Sequence, residues 1–146
     1  MRPLVGILED DREGRLAAML PVLEGLAAEA VAHDDAPGFL AWLEGAWDDV
    51  RLLSLDHDLG PTRQTIEGGR FDPGTGMDVV AFLEARAPRF PVIVHSSNPY
   101  AVPSMLYRLE AAGWTVQRVA PFGDQWVEGI WARTVAEQLG RAGAAG

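Results

Sequence analysis

The chain has 146 residues, enough for one domain that buries roughly 68–70% of the surface its unfolded form exposes. Its 21 acidic against 12 basic residues leave a formal charge of −9, which opposes binding to a long nucleic acid or an anionic membrane through counterion release. There is no cysteine, which excludes disulfides and thiolate zinc sites, and no apolar run approaches the roughly 18 residues of a membrane span, so a cytoplasmic protein is expected.

Leu4-Val5-Gly6-Ile7-Leu8 is continuously apolar, as a strand buried on both faces reads, and it closes in Glu9-Asp10-Asp11. Asp11 is placed to cap a helix whose Leu16, Met19, Leu20, Leu23, Leu26 and Ala27 recur at helical spacing, with Pro21 expected to kink it. A weak strand is expected at 30–33, carried mainly by Val31, with His33 read as a surface residue. Asp34-Asp35-Ala36-Pro37 signal the cap and first turn of a short helix through Phe39, Leu40, Trp42 and Leu43. Residues 52–55 form the next strand and end in Asp56-His57-Asp58. The segment 60–76 is polar, glycine-rich and long for a compact domain, which suggests a mobile lid or binding loop. A helix follows at 77–87, a strand at 91–94 closing in His95-Ser96-Ser97-Asn98, a helix at 102–112 stopped by Gly113, and a strand at 115–119. Asp124 is expected to cap a last helix striped by Val127, Ile130, Trp131 and Val135, and 140–146 to be a flexible tail. Residues 1–139 therefore read as one α/β domain, a parallel sheet covered on both faces through right-handed crossovers.

Ligands of such sheets collect beyond the carboxyl ends of the strands, where these acids, histidines and hydroxyls fall. Glu9, Asp10 and Asp56 are hard oxygen donors suited to Mg²⁺ or Mn²⁺, and without a cation they would repel one another. The alternative is that Glu9-Asp10-Asp11 only starts a helix, where carboxylates favour the dipole. His57 and His95, at neighbouring strand ends, are candidates for general base and acid near neutral pH; they could instead be metal ligands or hydrogen-bond a loop carbonyl. Ser96, Ser97 and Asn98 offer donors to phosphate oxygens, although Asn98-Pro99 is also a helix start. Arg63 and Arg70, set with Thr62 and Thr65 among glycines, can fold over an anion, or the segment is simply solvated. The five tryptophans read as packing residues, with Trp126, beside Asp124, the exception near the site.

Taken in order, Ile7-Leu8-Glu9-Asp10-Asp11, Leu53-Ser54-Leu55-Asp56-His57-Asp58-Leu59, Gly76-Met77-Asp78-Val79-Val80 and Pro91-Val92-Ile93-Val94-His95-Ser96-Ser97 resemble the receiver domains of two-component signalling. The resemblance implies a flavodoxin-like (βα)5 fold with strand order 2-1-3-4-5. It also implies a phospho-accepting Asp56, a hydroxyl, Ser96, ending the fourth strand, and Mg²⁺ held by Asp10 and Asp56 directly, by Glu9 through water and at Asp58 through a backbone carbonyl. Two features depart from ordinary receivers. Ala120 precedes Pro121 where that family has a lysine, with Arg118 two residues away, and 60–76 is an insertion.

With both histidines, Asp-His-Asp-Leu and His-Ser-Ser-Asn resemble the divergent branch called cyclic-phosphate-processing receiver domains, which implies hydrolysis of a cyclic or terminal phosphate on a nucleotide or RNA end. The expected function is thus a divalent-metal-dependent phosphoesterase using Asp56, His57 and His95. The alternative is a phospho-accepting receiver with a signalling partner. Asp56-His57-Asp58 also satisfies the Asp-x-Asp pattern of haloacid-dehalogenase-type phosphatases, but there it lies on the first strand, whereas here an acid pair precedes it.

Overall fold

The computed structural model describes residues 2–145, with side chains to residue 140. In chain order its elements are β1 (Leu4–Leu8), α1 (Ala17–Gly25), β2 (Glu29–His33), α2 (Ala36–Ala46), β3 (Val50–Leu55), β4 (Arg63–Gln64), β5 (Arg70–Phe71), α3 (Gly76–Glu84), β6 (Val92–Val94), α4 (Ala101–Ala111), β7 (Val116–Arg118) and α5 (Ala132–Ala145). A five-stranded sheet in the order β2-β1-β3-β6-β7, parallel throughout, forms the centre. With the short β4–β5 pair set aside, this is the expected 2-1-3-4-5 order, the flavodoxin-like receiver fold.

Because side chains alternate across a strand, the apolar runs feed two cores. Leu8, Leu53, Leu55, Val92 and Val94 pack with Phe39, Leu43, Val80, Leu83 and Leu109 on the side of α2, α3 and α4. Val5, Ile7, Leu52 and Ile93 pack with Met19, Leu23, Val127, Trp131 and Val135 on the side of α1 and α5. Gly6 is required where it stands, since a Cβ there would lie 2.5 Å from the Trp42 ring. Among the described residues no helix is long and apolar enough to cross a membrane.

Asp11 caps as expected, accepting the amides of Gly14 and Arg15, but the turn it opens is a π-helical one, Arg12–Leu16, that leads into α1. Asp35 caps α2 by accepting the Gly38 amide at 2.6 Å. Asp124 does not cap the last helical segment, which begins with a π-helical turn at Val127–Trp131. Its continuation, α5, runs on to Ala145 through residues the sequence reads as a tail. His33 is not a surface residue either: its ring packs on Phe39 and Trp42, with centroids 6.0 and 5.9 Å apart.

The segment 60–76 carries structure of its own. Arg63 pairs with Phe71 and Gln64 with Arg70 in an antiparallel hairpin, β4–β5. Its turn is closed by the Thr65 amide on the Gly69 carbonyl and by the Gly69 amide on Thr65 Oγ1, both at 2.9 Å. Gly68 supplies the positive φ of +84° that a side chain would resist. Beyond the hairpin, the Pro73 carbonyl accepts the Ala36 amide at 2.7 Å, fastening the segment to the start of α2.

Candidate functional site

Register decides which side chains meet. Leu8 pairs with Leu55 and Leu55 with Val94, and the ladder continues through the Asp56 amide to the Leu8 carbonyl and the His95 amide to the Leu55 carbonyl. Glu9, Asp56 and His95 thus leave the three central strands at one level. One carboxylate oxygen from each of Glu9, Asp10 and Asp56 lies within 4.8 Å of the others. Glu9 and Asp56 are buried and Asp10 is the member nearest solvent. Gly76 packs against the backbone that carries Asp56 and His57. Its amide donates to the His57 carbonyl, and a Cβ there would fall 2.1 Å from the Asp56 carbonyl oxygen, so no larger residue fits.

Crowding shows in the titration of these groups. Burial pushes the Asp10 carboxyl above its usual range, with the charges of Glu9 and Asp56 adding to the effect. Burial likewise raises Asp56, Glu9 adding to it, while His95, the His57 amide and Arg15 oppose. Burial would raise Glu9 too, but hydrogen bonds from His95 and the Asp11 amide, with Arg15 nearby, bring it below the usual range. A set of hard oxygens, two of them reluctant to ionise side by side, suits a small divalent cation: Asp10 and Asp56 fit as its ligands, with Glu9 beside them.

The oxygens are not equally available. Asp56 Oδ1 accepts the His57 amide at 2.7 Å, which leaves Oδ2. Both Glu9 oxygens are engaged, Oε1 by His95 Nε2 at 3.0 Å and Oε2 by the Asp11 amide at 2.9 Å. Asp58, expected at the metal through a backbone carbonyl, has its carboxylate engaged outside the cluster. It accepts from His57 Nδ1 at 2.8 Å and from Asn98 Nδ2 at 3.1 Å, and the His57 bond holds the Asp58 carboxyl below its usual range.

The two histidines have separate surroundings. His95 is wholly buried, with Nδ1 2.7 Å from Ser54 Oγ, and Ser54 Oγ accepts Trp131 Nε1–H at 3.0 Å. One arrangement of protons satisfies every atom: Trp131 N–H to Ser54 Oγ, Ser54 O–H to His95 Nδ1, and His95 Nε2–H to Glu9. His95, expected as a proton-transfer group, thus has both ring nitrogens engaged inside the core, an arrangement that suits it to positioning Glu9. His57 is half-buried at the mouth, with Nδ1–H on Asp58, and its Nε2 has no partner among the described residues.

The expected phosphate contacts divide as well. Asn98 Oδ1 accepts the Tyr100 and Ala101 amides, starting α4, which points its Nδ2 at Asp58. Ser96 is buried, its hydroxyl accepting the Asn98 amide, whereas Ser97 is exposed. Arg63 is committed elsewhere, to Asp34 Oδ1 at 3.2 Å and to the carbonyls of Asp34 and Leu59 at 2.8 and 3.3 Å. Arg70 is exposed and lines a hollow with Pro61, Thr62, Arg63 and Gln64 that includes none of the three clustered carboxylates. Arg118 reaches the Ser96 carbonyl at 3.4 Å.

Sequence reasoning misses Arg15, whose Nη1 stands 3.4 Å from Asp56 Oδ2 and 3.6 Å from Glu9 Oε1. Trp126, the tryptophan singled out, lies here: its ring stacks on His95 at 6.1 Å, and the Arg15 guanidinium lies 5.7 Å from its centroid. The signal for Arg15 was faint but present, since the Asp11 cap that follows the acid pair takes the Arg15 amide.

A parallel sheet in this order, with an acid pair after its first strand and an aspartate ending the third, is a receiver fold. Solved receivers share it at low identity. A CheY-like response regulator receiver domain protein from Methanospirillum hungatei superposes with a TM-score of 0.68 at 15% identity, covering 100% of both chains. A response regulator receiver protein from Burkholderia phymatum gives 0.59 at 23% identity, covering 95% of this chain and 96% of its own. A response regulator receiver domain from Rhodospirillum rubrum gives 0.62 at 16%, covering 91% and 90%. Within that class the chain belongs to the cyclic-phosphate processing receiver domains, whose family model matches residues 7–111. No curated protein matches it.

Proposed function

We propose that this receiver domain is a divalent-metal-dependent phosphoesterase acting on a cyclic or terminal phosphate of a nucleotide or RNA end, in the cytoplasm. The observation that carries the reading is His57, whose Nδ1–H is held by Asp58 while Nε2 is left open one residue from Asp56. An imidazole fixed by a carboxylate at one nitrogen is poised to exchange a proton at the other. Asp10 and Asp56 Oδ2 would hold Mg²⁺ or Mn²⁺, with Glu9 acting through water because both its oxygens already accept hydrogen bonds. When bound, the ion would polarise the phosphate and offset its charge. His57 Nε2 would take a proton from the attacking water or return one to the leaving sugar oxygen. Asn98 keeps Asp58 in place for this, and the exposed Ser97 hydroxyl is free to meet a phosphate oxygen.

The test is turnover of a nucleoside 2′,3′-cyclic phosphate with Mg²⁺ or Mn²⁺, by the parent protein and by His57→Ala. Turnover lost in the variant supports the reading. Stable labelling of Asp56 by a small phosphodonor, with no turnover of any cyclic or terminal phosphate, leaves a phospho-accepting signalling domain in its place.

A further inference from the structure

Arg15 occupies the Asp56 oxygen that a metal ion would claim. On Asp56, Oδ1 belongs to the His57 amide, and Oδ2 has Arg15 Nη1 as its partner. The same Nη1 lies 3.6 Å from Glu9 Oε1, so a single guanidinium spans the two buried carboxylates. Its backbone is fixed by the Asp11 cap, but its side chain is about a quarter exposed and reaches the carboxylates across the face of Trp126. It can therefore swing toward solvent without disturbing the helix that carries it.

We infer that Arg15 is a resident counter-cation which a divalent ion displaces, and that the displaced guanidinium becomes the anion-binding group for the substrate's phosphoryl oxygens. The reasoning is one of charge. A dication set against the three carboxylates leaves one formal negative charge, which repels a phosphate; the nearby guanidinium cancels it. A planar guanidinium also matches two phosphoryl oxygens at once, which a point charge does not. Metal and phosphate are thus coupled through one side chain. The metal frees Arg15, and freed Arg15 recruits the phosphate. Arg63 is unsuited to this task because three protein acceptors already hold it.

The inference rests on the proposed reading of a metal and phosphate site, and its test separates the two. Calorimetry would measure Mg²⁺ alone, then inorganic phosphate on Mg²⁺-loaded protein, for the parent, Arg15→Ala and Arg15→Lys, with circular dichroism to establish folding. In Arg15→Ala, Mg²⁺ should bind about two- to fivefold more tightly, because a competing partly exposed ion pair is gone. Phosphate should bind about tenfold or more weakly, because a charge-assisted contact is lost. Arg15→Lys, which keeps the charge and loses the fork, should fall between the two. Opposite signs for the two ligands are the signature. Mg²⁺ affinity unchanged or weakened in a folded variant, or phosphate affinity unchanged, overturns the role of Arg15 and leaves the metal site standing. No Mg²⁺ uptake by the parent protein overturns both.

Discussion

Glu9 Oε1 and His95 Nε2 lie 3.0 Å apart, buried at 1% and 0% side-chain exposure, on residues 86 positions apart in the chain. The bond belongs to a line of donors that starts at Trp131 and runs through Ser54, and it ends on a carboxylate beside the candidate metal ligands. A receiver-fold sheet has thereby been given a polar wire through its α1/α5 core, which holds an acid in one orientation. Removing His95 leaves Glu9 buried with less to satisfy it.

His95→Ala should therefore lower stability by about 1.5–3 kcal/mol, the cost of removing a buried hydrogen bond to a charged group. Ser54→Ala should lose about 1–3 kcal/mol, because it orphans Trp131 N–H and His95 Nδ1 together. Urea unfolding monitored by circular dichroism measures both. A loss under 1 kcal/mol for His95→Ala is the result expected of a solvent-side histidine and contradicts the buried role.

Asp56→Asn should abolish Mg²⁺ uptake in calorimetry, since the amide places a neutral group where Oδ2 is the available oxygen. Asp10→Ala should do the same. Asp58→Asn should leave Mg²⁺ affinity within a factor of about two, because that carboxylate faces His57 and Asn98. Equal loss in all three would make the Asp58 carboxylate a metal ligand.

His57→Ala should reduce phosphoesterase turnover by roughly 10²–10⁴-fold with little change in Mg²⁺ affinity. Asp58→Asn should weaken turnover less, by disturbing the imidazole that it orients. Steady-state rates at saturating Mg²⁺, compared between the two variants, check that order.

Gly76→Ala should destabilise the fold by about 3 kcal/mol or more, since its Cβ would fall 2.1 Å from a backbone oxygen that has no room to move. Gly45→Ala, at a helix position with open space around it, should be neutral or slightly stabilising. The contrast in urea midpoints isolates the close approach from the general cost of losing a glycine.

The hairpin β4–β5 should be protected from hydrogen exchange as long as Asp34 is charged. Burial would raise the Asp34 carboxyl, but hydrogen bonds from Arg12 and Arg63 outweigh it and bring it below its usual range. Its contribution is therefore present above the unfolded-state value and is lost as pH falls through the lower folded-state value, that is, below about pH 4. Arg63→Ala should remove the protection of the 63–71 amides at neutral pH as well. Rapid exchange there in the parent protein at pH 7 would restore the picture of an open lid.

Much of this molecule was legible in its sequence because the information is local. Apolar runs four or five residues long, each closed by polar groups, locate the three central strands and put Glu9, Asp10, Asp56, His57 and His95 at the ends where α/β sheets bind ligands. Asp11, Asp35 and Asn98 announce helix starts through bonds that span only two to four residues. What tertiary structure alone decided is the direction and partner of each side chain. Alternation across a strand sends Ser54 and His95 into the α1/α5 core, and only the meeting there with His95 and Trp131, 41 and 77 positions from Ser54, makes a buried serine tolerable. The same holds for Arg15, which reads as one of many charges on a helix until sheet register brings Asp56 beneath it, 41 positions away. Arg63 and the 60–76 segment show the reverse case: glycines and threonines signal a loop, yet an acceptor 29 positions back, Asp34, takes the guanidinium and anchors a hairpin. A sequence specifies which groups can ionise, donate or accept. Which of them are in contact depends on strand register and helix docking, and those are settled by burying the apolar faces as a whole.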